Sequence, residues 1–192
     1  MNNTRGPTLL ANNIPAEDQS LFRIDTYYVA IIEITHLRSE NLHELITKFR
    51  AFSSDVLVQG INATYVFGVN HLLRVLQLTV ESWKRGIKLS KIMETDILMR
   101  LCCTSQISKA IKVGGLKNDS AACFILMSEN MDSVLKIKKH IEGYYNEIHV
   151  SVLRIGKNKM ATLCNEFGIT HNKMDRIFFE NYLVEKAALV KF

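Results

Sequence analysis

The chain has 192 residues, with 24 Lys+Arg against 19 Asp+Glu for a formal charge of +5, and 47% of its residues are apolar. That suits one domain, or one domain plus a tail, with enough apolar material for a real core, and the modest cationic excess favours an anionic partner. Four cysteines, two of them adjacent, form neither a disulfide framework nor a zinc spacing, so free thiols in a reducing cytosol are expected. The opening Met-Asn-Asn-Thr-Arg-Gly-Pro lacks the basic start and apolar run of a signal peptide, and no apolar stretch approaches a membrane span.

Residues 1–22, rich in Asn, Thr and Gly and holding both prolines, read as a mobile arm ahead of a domain over 23–192. Tyr27 to Ile34 is a β-branched and aromatic run and predicts a strand. Ser39 is placed to cap a helix whose apolar face is Leu42, Leu45, Ile46 and Phe49. A second strand starts at Val56 and fades near Gly60. Val69 to Arg85 is the longest predicted helix, with Val69, Leu72, Leu73, Leu76, Val80 and Trp83 as its core stripe and Gly86 as its stop. A basic connector follows, carrying Lys84, Arg85, Lys88 and Lys91. Ala121 to Met127 is continuously apolar and predicts a central strand buried on both faces. Asn130 to Ile141 predicts a helix burying Val134, Ile137 and Ile141. A strand is expected over Ile148–Ile155, a helix over Lys157–Phe167 ended by Gly168, a helix capped by Thr170, and a short last strand over Ala187–Val190. The order predicts a single α+β domain with a mixed, mainly antiparallel sheet covered by helices.

Between these elements, Thr95 to Gly115 reads as two short helices about a tight break at Cys102-Cys103-Thr104-Ser105. Ile97, Leu98 and Leu101 share one face of the first; Ile107, Ala110 and Ile111 form a narrow stripe on the second. Thr104 or Ser105 can cap the second helix, and Gly114-Gly115 can stop it in a left-handed C-cap. The polar side carries Arg100, Gln106, Lys109 and Lys112, with no nucleophile–base pair. It looks like a binding surface.

These residues carry a resemblance. Asp96, Ile97, Leu98 and Arg100, followed by Gln106, Ile107, Ala110, Ile111 and Gly114, are similar to the motif of the smallest conserved subunit of the KEOPS (EKC) complex, the family that includes the PRPK-binding protein. Upstream, His71-Leu72-Leu73 matches its His-Leu helix start, and Glu185-Lys186-Ala187-Ala188-Leu189 resembles its terminus. The match departs at Ser105, where the family usually has arginine. The resemblance implies a non-catalytic, cytoplasmic subunit without cofactor or metal. Such a subunit binds and stimulates the small atypical kinase/ATPase subunit, reaching the rest of the complex through it. It also recruits tRNA by its 3′ CCA end for threonylcarbamoyladenosine modification. On that reading Lys84, Arg85, Lys88, Lys91, Arg100, Gln106 and Lys109 contact RNA, and Ile107, Ile111, Phe179 and Leu183 contact the protein partner.

Other constellations read more plainly. None of the six histidines sits at metal-ligand spacing, and His71 suits a structural bond to backbone at a helix start. Cys102-Cys103 cannot easily reach disulfide geometry, and Cys123 belongs to a buried strand. Gly114-Gly115 lacks the context of a P-loop. A stand-alone α+β small-molecule sensor or enzyme is the alternative; it would need a convergent titratable group that the sequence does not offer.

Overall fold

A computed structural model describes residues 20–145, 153, 157–169 and 175–191. The elements run β1 (Leu21–Ile24), β2 (Tyr27–Leu37), α1 (Leu42–Phe52), β3 (Leu57–Asn62), a 3₁₀ turn (Ala63–Tyr65), α2 (Val69–Lys84), α3 (Met93–Leu101), α4 (Ile107–Gly114), β4 (Ser120–Ser128), α5 (Met131–Tyr144), α6 (Lys157–Phe167) and α7 (Arg176–Ala188). The strands form one sheet in the order β1-β2-β4-β3, and each pairing is antiparallel. The α+β single domain expected from the sequence is what forms.

Alternation along β2 and β4 divides the core into two layers. Val29, Ile31, Cys123, Ile125 and Met127 point to one face and pack with α2, α3, α6 and α7. Ala30, Ile32, Ile34, Ala122, Phe124 and Leu126 point to the other and pack with α1 and α5. With helices on both sides, β4 has no polar face to keep, which is why it is apolar throughout.

Several expectations are corrected. β1 starts at Leu21, inside the segment read as an arm; four residues with a polar centre are too short to show periodicity. β3 continues past Gly60 to Asn62. The glycine is used there because a Cβ would meet Leu116 and Ile46 inside 3.0 Å. The last strand is absent: α7 continues through Ala188, and the Leu189 N–H bonds to the Glu185 carbonyl. Asn41, not Ser39, caps α1, its side chain accepting from the His43 and Glu44 N–H groups. Asp175 caps α7 through Phe178 N–H at 2.7 Å. The strand expected over Ile148–Ile155 and the cap expected at Thr170 lie outside the described residues, Leu153 apart.

Helix α2 is the spine, but its buried face is turned from the predicted stripe. Leu72, Val75, Leu76, Thr79 and Val80 are buried, while Val69, Leu73 and Trp83 are only partly so. Thr79 can enter because its hydroxyl donates to the Val75 carbonyl at 2.8 Å. His71 is fully buried beside this face and accepts the Phe67 N–H on Nδ1 at 3.2 Å. Desolvation first, then Arg74 and Lys159, lowers its pKa to about 3, so it is neutral.

Candidate functional site: the α2–α3 connector and α4

The site is built outward from the end of α2. Gly86 takes φ +74, and the chain closes with Gly86 N–H on the Trp83 carbonyl and Ile87 N–H on the Ser82 carbonyl. This is the paired-bond stop that glycine makes without strain. The connector then folds back over Asp96, one turn into α3. Asp96 is fully buried. Its Oδ2 accepts from Trp83 Nε1 at 2.9 Å and from Leu89 N–H at 2.7 Å, and its Oδ1 accepts from Arg100 Nε at 2.7 Å. Arg100 is 2% exposed. It spends its remaining donors on backbone, Nη1 on the Ala187 carbonyl at 3.3 Å and Nη2 on the Ile87 carbonyl at 3.4 Å.

This arrangement corrects one candidate. Arg100 was expected on an RNA-binding surface; it is core. A planar fork spreads its donors over three nitrogens and so serves a carboxylate and two separated carbonyls together. The i,i+4 spacing of Asp96 and Arg100 is the sequence signal that could have revealed the pair.

The connector's cations are mostly engaged. Lys84 pairs with Asp25 in the β1–β2 turn, and that bond holds the Asp25 carboxyl below its usual range. Arg85 lies 3.9 Å from Glu81, and the Lys88 ammonium lies 4.3 Å from the centre of the Trp83 ring. Lys91 is exposed.

The break after α3 closes in the same manner as α2, but with a cysteine at the left-handed position. Cys103 has φ +48, its N–H bonds to the Arg100 carbonyl, and Thr104 N–H bonds to the Met99 carbonyl. A left-handed non-glycine residue costs about 1–2 kcal/mol. Thr104 does not cap α4; its hydroxyl accepts from Gln106 N–H at 3.3 Å, and Gln106 itself holds the cap position without a side-chain bond. At the far end Gly115 has φ −66, so the glycines are there for space, not for handedness. A Cβ on Gly114 would collide with Cys102 Sγ, and one on Gly115 with the Ile111 carbonyl.

Because α4 buries only Ala110 and Gly114, with Val113 half-buried against the core, its remaining residues face outward. Ile107 is 46% exposed and Ile111 57%. Gln106, Lys109 and Lys112 are exposed around them. The connector precedes α3 and α4 follows it. Nine residues separate them as helix, about 13 Å. Phe179 and Leu183, the other residues expected at a protein contact, are buried, with Phe179 edge-on to Phe67 at 4.9 Å. The fold turns Ile177 and Phe178 outward on α7 in their place.

The titratable groups argue for structure here. Burial pushes the Cys102 and Cys103 thiols up to about 12 and raises Cys123 further, so none is an activated thiolate. Burial lowers Lys159 to about 8, with Cys123 and Glu33 opposing. Among the described residues no group of His, Cys, Asp or Glu could hold a metal ion, and no helix is long and apolar enough to cross a membrane.

No curated protein matches the chain. A family model does, over residues 37–190, which spans α1 to α7 and takes in the connector, the Asp96–Arg100 pair and α4. The chain belongs to the kinase binding protein CGI-121 family.

Proposed function

We propose that this protein is a non-catalytic cytoplasmic subunit of the KEOPS complex. It binds and stimulates the small atypical kinase/ATPase subunit and recruits tRNA through the 3′ CCA end for threonylcarbamoyladenosine modification. The observation that carries the reading is the surface of α4. Of the family-like motif residues, Asp96, Ile97, Leu98, Arg100, Ala110 and Gly114 are buried in the fold, whereas Gln106, Ile107 and Ile111 are exposed. Two isoleucines one turn apart give the apolar centre that a protein contact requires, and Lys109 and Lys112 give it a cationic rim. Ile107 and Ile111 therefore contact the kinase. Lys84, Arg85, Lys88 and Lys91 neutralise phosphates, and Gln106 and Lys109 reach the single-stranded end.

The test is copurification with the kinase subunit, together with tRNA binding across a salt series with and without the CCA end. Ile107→Glu/Ile111→Glu should abolish kinase association and leave the melting temperature unchanged, since neither side chain closes the core. Lys84→Ala/Arg85→Ala/Lys88→Ala should weaken all tRNAs alike and flatten the salt dependence. Kinase binding retained by the double glutamate variant would refute the α4 contact. An unchanged salt slope would remove the connector from the RNA site.

A further inference from the structure

The outer layer formed by α1 and α5 covers the opposite face of the sheet from α2 and α3. The two helices run antiparallel, with Phe52 beside Lys136 and His140, and Lys48 beside Tyr144. A ladder of rings and cations lies along their seam. Phe52 stacks on His140 with centroids 4.0 Å apart and planes 12° from parallel. Buried Phe49 supports the ladder from below, edge-on to His140 at 6.2 Å and to Tyr144 at 5.8 Å. The Lys136 ammonium lies 5.7 Å from the Phe52 ring centre, and the Lys48 ammonium 5.2 Å from that of Tyr144.

These rings are not needed to close the core. Leu45, Phe49, Val134, Ile137 and Ile141 already do that, while Phe52 is 39% exposed and Tyr144 49%. His140 and Tyr144 are one helical turn apart, about 6 Å. That makes two ring stations at a spacing a single strand can follow. Lys139 is exposed on the same helix. Acidic groups bound the seam. Asp55, held by Ser53 and Ser133, lies near Lys136 at one end. At the other, Lys48 and Tyr144 share an open cavity with Glu40, Glu44 and Asp119, and Arg38 offsets Asp119 there at 3.0 Å.

We infer that the α1/α5 seam binds a short single-stranded nucleic-acid segment, two bases stacking at the Phe52/His140 and Tyr144 stations while Lys48 and Lys136 leave the ring faces for the flanking phosphates. Stacked rings with interleaved cations are what sequence-tolerant single-strand binding uses. An acidic peptide would engage the cations but leave flat ring faces without a function. The inference does not depend on the connector or α4, which lie elsewhere on the fold.

The experiment is fluorescence anisotropy of an end-labelled eight-nucleotide oligouridine on the full chain across a salt series. Phe52→Leu/Tyr144→Leu keeps apolar bulk but removes both ring faces, and should cost roughly tenfold or more in affinity. Phe52→Tyr/Tyr144→Phe should retain it. Lys48→Ala/Lys136→Ala should reduce the slope of log affinity against log salt by about 1.4 for two phosphates. The same losses should appear in the Lys84→Ala/Arg85→Ala/Lys88→Ala background, so the failure of either site is read separately. Should the leucine variant unfold, photocrosslinks from a 4-thiouridine oligomer decide: they should map to α1 and α5. Affinity within twofold of the parent for a folded leucine variant would overturn the inference. So would crosslinks confined to the connector and α4, or displacement of the oligomer by polyglutamate of equal charge as effectively as by unlabelled RNA.

Discussion

Removing one half of the Asp96–Arg100 pair should unfold the protein at a much lower temperature. In Arg100→Met the side chain keeps its bulk, but Asp96 loses a donor at 2.7 Å and retains only Trp83 Nε1 and Leu89 N–H. The carbonyls of Ala187 and Ile87 also lose their partner. A buried charge stripped of its counter-ion costs about 3–5 kcal/mol. For a chain of this size each kcal/mol shifts Tm by about 2–4 °C, so a fall of roughly 6–20 °C is expected. Arg100→Lys should do little better, because one ammonium nitrogen cannot stand at the three separate points that Nε, Nη1 and Nη2 occupy. Asp96→Leu/Arg100→Met should recover a large part of the loss, since a hydrophobic replacement of both partners leaves no charge unpaired. Urea titration of the parent, Asp96→Leu, Arg100→Met and the double variant gives the coupling energy. A single substitution costing under about 1 kcal/mol, within the range of surface pairs, would refute the reasoning, as would a double variant that is merely additive.

Two more predictions concern buried groups. His71 is held neutral with its pKa lowered to about 3, below the ordinary 6.5. The unfolded chain therefore binds the extra proton first, and stability present above pH 6.5 is lost as pH falls toward 3, at about 1.4 kcal/mol per pH unit. Denaturation should be nearly flat from about pH 7.5 to 6.5 and show that slope between about pH 6 and 4, and His71→Gln should flatten it; an identical pH dependence in both would place the titration elsewhere. Gly114→Ala should cost about 1–3 kcal/mol by overpacking against Cys102 Sγ. Cys102→Ala in the same chain should relieve part of that, and full additivity in thermal melts would show the contact is not the cause.

How far the sequence could be read depended on whether a local pattern had one structural solution. β4 was legible because nine residues without a polar face fit only a strand covered on both sides. The break after α3 was legible as a break, since a short polar run between two apolar stripes cannot continue one helix. Its geometry was not: nothing about cysteine announces φ +48 at Cys103. On α7, likewise, Phe179 and Leu183, expected at a partner contact, turn inward while Ile177 and Phe178 turn out. That choice is made by what the helix packs on. The α1/α5 ladder was hidden for the same reason, because its rings and cations come from segments some ninety residues apart and only the antiparallel pairing of the helices brings Phe52 onto His140.

Arg100 shows why a motif cannot be assigned to function from residue type alone. Its charge suggested RNA, yet its guanidinium bonds the carbonyl of Ala187, a residue of the second family-like motif, and the carbonyl of Ile87 in the connector. Two of the family-like stretches thus meet at one buried side chain, and their chemistry is spent on holding α7 and the connector against α3. His71, from the third stretch, is likewise spent on the Phe67 N–H. What the fold leaves exposed from the stretch around α3 and α4 is Gln106, Ile107 and Ile111, as it leaves Leu189 exposed in the terminal stretch. An exposed isoleucine gains nothing from water and adds nothing to a core it does not touch. Two of them on one face of an eight-residue helix that buries Ala110 and Gly114 make an apolar pair open to a partner. The connector is weaker on the same criterion, because Lys84, Arg85 and Lys88 each already face a carboxylate or a ring. Phosphates would have to displace those partners, so RNA affinity there should be modest and steeply salt-dependent, while kinase binding through α4 should change little with salt.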